Sequence, residues 1–228
     1  MSCYFSRVQL LRRTQLRAAE LEWLAAHGRK GEAELDHALL WTLFPGDGAA
    51  RDFVFRREQP RDRGGRAAVS YLLVSARKPV ESRFLSVESK PYAPRVFTGE
   101  VLRFDLRANP VVTRRQDGKA RRHDVLMDAR MGTADSGERK ERMDAAAREW
   151  LTKRAPQWGL RVREETLQMD GYRQMALPGK GRTAGFSVLD YSGLATVTDA
   201  ELLQQALAAG VGHARSYGCG LLLVKRAR

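Results

Sequence analysis

The apolar positions along the chain alternate between a strand period and a helix period. CYFSRVQLL at 3–11 reads as an opening strand, and from Thr14 to about Phe44 the spacing is helical, with interruptions near Gly28 and Gly31. The helix that restarts around Glu32 sets His37, Leu40, Trp41 and Phe44 along one face, and Pro45 stops it. Two β-rich runs follow, DFVFRRE at 52–58 and AVSYLLVS at 68–75, parted by the polar PRDRGGR that suits a hairpin loop. Val80 to Ser89 predicts a further helix or an irregular crossover. The proline-punctuated KPYAPRVF then predicts a linker, with a domain boundary near residues 90–96.

A second cycle opens with EVLRFDLRANPVV at 100–112 and passes through a polar insertion to a helix around 138–154. Strand patterns then alternate up to Thr198. Thr198 or Asp199 can cap the helix ELLQQALAAG, which ends at Gly210, and GLLLV at 220–224 predicts a last strand. This order fits an α+β chain with two tandem ferredoxin-like domains, each a βαββαβ unit as in RRM folds. The expected divisions are an N-terminal domain over 1–92 and a C-terminal domain over 97–228. No residue-level repeat joins the two.

With 228 residues the chain can bury a core without disulfide or metal staples. Its 40 Lys and Arg against 27 Asp and Glu leave a formal charge of +13. The excess is mainly arginine, whose planar fork suits phosphate, so a polyanionic partner is the leading inference. Basicity alone does not choose between RNA and DNA. No apolar run approaches the length of a spanning helix, and MSCYFSRVQLLRR lacks the uninterrupted apolar core of a signal peptide, so a soluble, cytoplasmic protein without membrane contact is expected. Cys3 and Cys219 stand far apart and read as buried thiols. His27 and His123 have no partner pattern. With no paired-histidine motif, carboxylate cluster or P-loop in the sequence, neither a metal nor a cofactor is expected.

Three constellations could carry chemistry. On its pattern alone His37 reads better as a structural histidine at the edge of the core; as a functional group it could take or give a proton near neutral pH, enough to help an RNA 2′-hydroxyl attack the adjacent phosphate. In LRANPVVTRRQDGKARR at 106–122, Arg107, Arg114, Arg115, Lys119, Arg121 and Arg122 cluster around Gly118, either as a solvated loop or as a phosphate-binding surface. GVGHARSYGCGLLLV at 210–224 is a glycine-rich loop with His213, Arg215 and Tyr217. Its glycines serve either tight turns or close approach to a phosphate. By contrast, 128–148 mixes both signs of charge and reads as a loop running into an exposed helix.

Taken together, HALLWTLFP, ARDFVFRRE, VLRFDLRANPVV and GVGHARSYGCGLL resemble the CasE family of CRISPR repeat-processing endoribonucleases of subtype I-E systems, in order and separation as well as in letters. The resemblance spans nearly the whole chain. It implies two tandem ferredoxin-like domains, recognition of the repeat hairpin in precursor CRISPR RNA, metal-independent cleavage at the base of that hairpin, and retention of the crRNA with the other subunits of Cascade. It also implies that His37 is the catalytic histidine, reversing the reading from pattern alone. Many relatives carry a tyrosine three residues before that histidine, where this chain has Glu34, so a second hydroxyl-bearing catalytic residue does not carry over. The remaining alternatives are a non-catalytic RNA-hairpin-binding assembly subunit, and a basic protein of DNA or of the ribosome.

Overall fold

The computed structural model describes residues 3–46, 50–58, 69–131, 135–178 and 183–227. The first half runs β1 (Cys3–Leu10), α1 (Ala18–Gly28), α2 (Glu32–Trp41), β2 (Phe53–Glu58), β3 (Ser70–Ser75) and β4 (Leu85–Tyr92). These strands form an antiparallel sheet in the order β2-β3-β1-β4, the ferredoxin-like arrangement. α2 buries Ala33, Leu39 and Leu40, and with Leu43 and Phe44 it covers Phe53, Phe55, Tyr71 and Leu73 of the sheet. The β2–β3 pairing is the expected hairpin; most of its connecting loop, PRDRGGR included, lies outside the described residues.

One expectation is corrected here. Between Ala76 and Phe84 the chain forms no helix, and Leu85–Tyr92 is a strand paired with β1 along its whole length, from Leu10↔Leu85 to Cys3↔Tyr92. KPY therefore belongs to the sheet. Leu85 is buried while Glu88 and Lys90 face outward, and an edge strand can hold Pro91 because one side of its backbone pairs with nothing.

The second half runs β5 (Val101–Ala108), β6 (Val111–Gln116), β7 (Lys119–Asp124), α3 (Val125–Arg130), α4 (Ser136–Arg154), β8 (Leu160–Val162), β9 (Gln168–Pro178), β10 (Thr183–Val197), α5 (Ala200–Ala209) and β11 (Leu222–Arg226). Its sheet has the order β11-β5-β10-β8, with β9 also paired to β10. α4 and α5 lay Trp150, Leu151, Leu203 and Leu207 against Phe104, Leu106 and Tyr191. Asp199 caps α5, its carboxylate accepting from the N–H groups of Glu201 and Leu202.

The polar insertion is more ordered than its composition suggested. EVLRFDLRANPVV is not one strand: it breaks at Asn109 and Pro110, where the buried Asn109 amide donates to the Ser187 carbonyl at 2.9 Å. The chain then makes the separate hairpin β6–β7, closed at Asp117 and Gly118, whose φ values of 53° and 73° are those of a two-residue hairpin turn matched to strand twist.

The halves share a seam. Leu221 of the second half clusters with Cys3, Val54 and Val74 of the first, all buried. Across the seam Arg56 pairs with Asp105, and Arg107 donates to the Arg57 carbonyl at 3.0 Å. Among the described residues no helix is long and apolar enough to cross a membrane.

Candidate functional site

His37 lies half-buried on α2 and faces the loop between α5 and β11. Its Nδ1 is 3.1 Å from the Ser216 carbonyl, and its Nε2 is 3.1 Å from the indole nitrogen of Trp41 one turn on. A carbonyl only accepts and an indole N–H only donates, so one neutral tautomer fits both: Nδ1–H donates to Ser216, and the Nε2 lone pair accepts from Trp41. In that tautomer Nε2 is the basic nitrogen, capped by the Trp41 N–H.

Tyr217 stands on the other side, its ring centroid 5.9 Å from that of His37. Its hydroxyl donates to the Glu34 carboxylate at 3.4 Å, and burial together with the Glu34 charge pushes the phenol above its ordinary pKa. The loop backbone that brings Ser216 and Tyr217 here depends on Gly220. At φ +86° a Cβ on this residue would meet the Val211 carbonyl oxygen at 2.3 Å.

Below His37 a cavity of about 220 Å³ is lined by Glu32, Asp36, Arg57, Arg107, Arg173 and Tyr217, among others. Most of its charges are committed. Asp36 is buried and accepts from the Tyr71 hydroxyl at 2.6 Å and from Arg57 at 2.8 Å. Burial holds the Asp36 carboxyl above its ordinary range against the opposing pull of Arg57. This network fixes the face of α2 that precedes His37.

Arg107 differs from its expected place in the basic cluster. It is 7% exposed, its Nε and Nη2 donate to Asp190 at 2.7 and 2.9 Å, and its Nη1 is spent on Arg57. A guanidinium with all its nitrogens engaged on Asp190 and Arg57 ties the two halves together rather than standing with the exposed cations of the cluster. The others of that cluster stand in the open on the β6–β7 hairpin: Arg114, Arg115, Lys119, Arg121 and Arg122 are all exposed. Arg114 sits opposite Arg121, a like-charge cross-strand pair that costs stability, and among the described residues only Arg114 of these has a carboxylate partner, Asp128 at 2.7 Å.

His213 links hairpin and loop. Burial first, and then the charges of Arg122, Arg154 and Arg215, hold its imidazole below the ordinary 6.5. These side chains thus lie within electrostatic reach of one another, and the cationic surface continues from β7 to the turn Arg215–Tyr217 beside His37. Sequence reasoning missed Ser216, whose contribution is a backbone carbonyl, and Arg154, whose place at the end of α4 carries no motif. Among the described residues no three His, Cys, Asp or Glu side chains converge as a metal site. Cys219 is buried, and burial pushes its thiol up to about 12.

Two ferredoxin-like halves, with a histidine of the first held by a glycine-rich loop of the second at the end of a cationic surface, define a tandem α+β protein with a composite site. The family described as CRISPR associated protein matches residues 3–226. The Cascade subunit CasE of Escherichia coli K12 is 30% identical over 193 residues, covering 82% of this chain and 88% of that protein. The crystal structure of Cas6e from the same strain aligns at 25% identity with a TM-score of 0.63, over 98% of this chain and all of that one. Thermus thermophilus Cse3, bound to an RNA representing a pre-cleavage complex, shares the fold at 22% identity with a TM-score of 0.67, over 99% of this chain and 100% of its own. The chain belongs to the CasE family of CRISPR-associated proteins.

Proposed function

We propose that this chain is a metal-independent endoribonuclease that binds the repeat hairpin of precursor CRISPR RNA, cleaves at the base of the stem, and stays on the mature crRNA with the other subunits of Cascade. The carrying observation is His37: an imidazole held at both nitrogens, by the Ser216 carbonyl and the Trp41 indole, at the end of a cationic surface built from the other half of the chain. Family membership supports the same reading, as does the name of the Escherichia coli relative, a Cascade subunit.

The labour divides between an N-terminal domain at 1–92, which supplies His37, and a C-terminal domain at 97–228, which grips the RNA. A-form RNA hides its base edges in a deep major groove, so the exposed Arg114, Arg115, Lys119, Arg121 and Arg122 read backbone and shape, while His213 and Arg215 lead the strand toward His37. In the reaction the 2′-oxygen bonds to the adjacent phosphorus as the bond from phosphorus to the 5′-oxygen breaks. The 2′ proton leaves to a base and the 5′-oxygen gains one, giving a 2′,3′-cyclic phosphate and a 5′-hydroxyl. His37 Nε2 serves as general base or acid once RNA displaces the Trp41 indole. Holding the 2′-oxygen in line with its leaving group supplies much of the remaining rate.

A second reading, a non-catalytic hairpin-binding subunit, is favoured by Glu34 where relatives carry tyrosine and by the hydrogen bonds on both nitrogens of His37. Incubating repeat RNA with wild type and His37→Ala in EDTA separates the two. Catalysis predicts cleavage by wild type, none when the 2′-hydroxyl at the cut is removed, and a loss on the order of 10²–10⁴-fold in His37→Ala. Intact RNA after incubation with wild type would leave only the binding role.

A further inference from the structure

Resting on the reading above, we propose that Arg51, acting with Arg215, clamps the RNA phosphate at which the strand is cut. Arg51 immediately precedes β2, and its guanidinium lies over the Phe53 ring, 5.9 Å from the centroid. Phe53 in turn packs edge-on against Trp41 at 5.3 Å, and Trp41 donates to His37. The stack holds Arg51 on the flank of the site while leaving the edge of its fork unused: Nη1 is shielded from solvent and has no hydrogen-bond partner among the described residues. A shielded cationic donor without an acceptor is costly and uncommon, and it points to a ligand that supplies one.

Arg215 approaches from the other side. It is adjacent to Ser216, whose carbonyl accepts from His37, and its Nη1 donates to the Ala209 carbonyl at 2.9 Å. Among the described residues neither arginine has an ion pair. Their charges nevertheless act on each other: burial first, and then Arg215, disfavour the charged form of Arg51. Two guanidiniums on the flanks of the His37 site, one over Phe53 and one beside Ser216, with no carboxylate paired to either among the described residues, leave a site for an anion. A phosphodiester matches it, since its two non-bridging oxygens can each meet one fork. The clamp makes and breaks no bond. As the 2′-oxygen adds, those oxygens gain negative charge, so the pair binds the transition state more tightly than the ground state.

The test reads binding rather than cleavage. Repeat-hairpin RNA carrying a 2′-deoxy sugar at the cut is prepared with either the normal phosphate or an uncharged methylphosphonate there, and titrated with wild type and Arg51→Gln. Glutamine keeps a flat group over Phe53 without the charge, and melting temperatures check that it folds. We expect each single change to weaken binding about 10-fold, and the two together to weaken it no more than either alone. A methylphosphonate placed mid-stem should instead multiply with Arg51→Gln. The clamp is overturned if the losses at the cut multiply, or if Arg51→Gln binds normal RNA within about 2-fold of wild type. Coupling at the cut with no cleavage of all-RNA repeat by wild type would retire the catalytic reading and keep the clamp; cleavage without coupling would do the reverse.

Discussion

Replacing Asp36 by alanine removes the single acceptor shared by the Tyr71 hydroxyl and the Arg57 guanidinium. Breaking one side of a buried ion pair typically costs about 3–5 kcal/mol, because the surviving charge is left unpaired. Here the Arg57 side chain keeps 26% of its exposure and has Glu32 in reserve at 3.3 Å, which argues for the low end. Tyr71 has no such reserve among the described residues: it is fully buried, and an orphaned hydroxyl adds about 1 kcal/mol or more. A loss of about 3–4 kcal/mol follows. For a chain of this size that lowers the melting temperature by roughly 6–16 °C. Asp36→Asn, which keeps an oxygen for Tyr71 but not the charge for Arg57, should fall between alanine and wild type. Urea unfolding of wild type, both variants and Arg57→Ala measures this and completes a double-mutant cycle. If Asp36→Ala unfolds within about 0.5 kcal/mol of wild type, or if its cost adds in full to that of Arg57→Ala, the pair does not hold α2 as argued.

Two further outcomes follow from exposed and half-exposed charges. Arg121→Ala and Arg122→Ala should each weaken hairpin binding about 10-fold without lowering the melting temperature, and reduce the salt slope of binding by about one each; an unchanged slope would take the β6–β7 hairpin out of phosphate contact. Arg77 donates to Asp52 at 2.7 and 3.1 Å and holds that carboxyl below its ordinary 3.8. The stability this pair adds is complete above that value and disappears as pH falls through the depressed one, so Asp52→Asn should trail wild type at neutral pH and match it in acid, by about 1 kcal/mol or less given solvent screening. A gap that widens in acid would contradict the sign.

Much of the site was invisible from the chain. His37 stood on a recognisable helical face, but as a functional group it emerged only through the family resemblance, because one histidine on an apolar stripe is as good a core residue as a proton carrier. Its hydrogen-bond partner Ser216 lies 179 residues further on and acts through its backbone. Arg107 shows the opposite case. It sits in the run that opens the densest cationic stretch of the sequence, yet β5 and β10 set it against Asp190 in the interior.

From the sequence alone follow the elements whose cause is local: the apolar period of β1, α2, α4 and α5, a cap at Thr198 or Asp199, the hairpin of β2 and β3, and the cationic excess that calls for a polyanion. Asp117–Gly118 also carried a legible turn signal inside what composition alone made a loop. Only the tertiary structure decided that Leu85–Tyr92 is an edge strand, which cationic side chains face solvent and which are neutralised within, and that Glu34, His37 and Tyr217 meet. Periodicity and capping act over a few residues and leave their mark in adjacent letters. Strand pairing at an edge and the meeting of charges across a seam depend on partners scores of residues away, and no neighbouring letter records them.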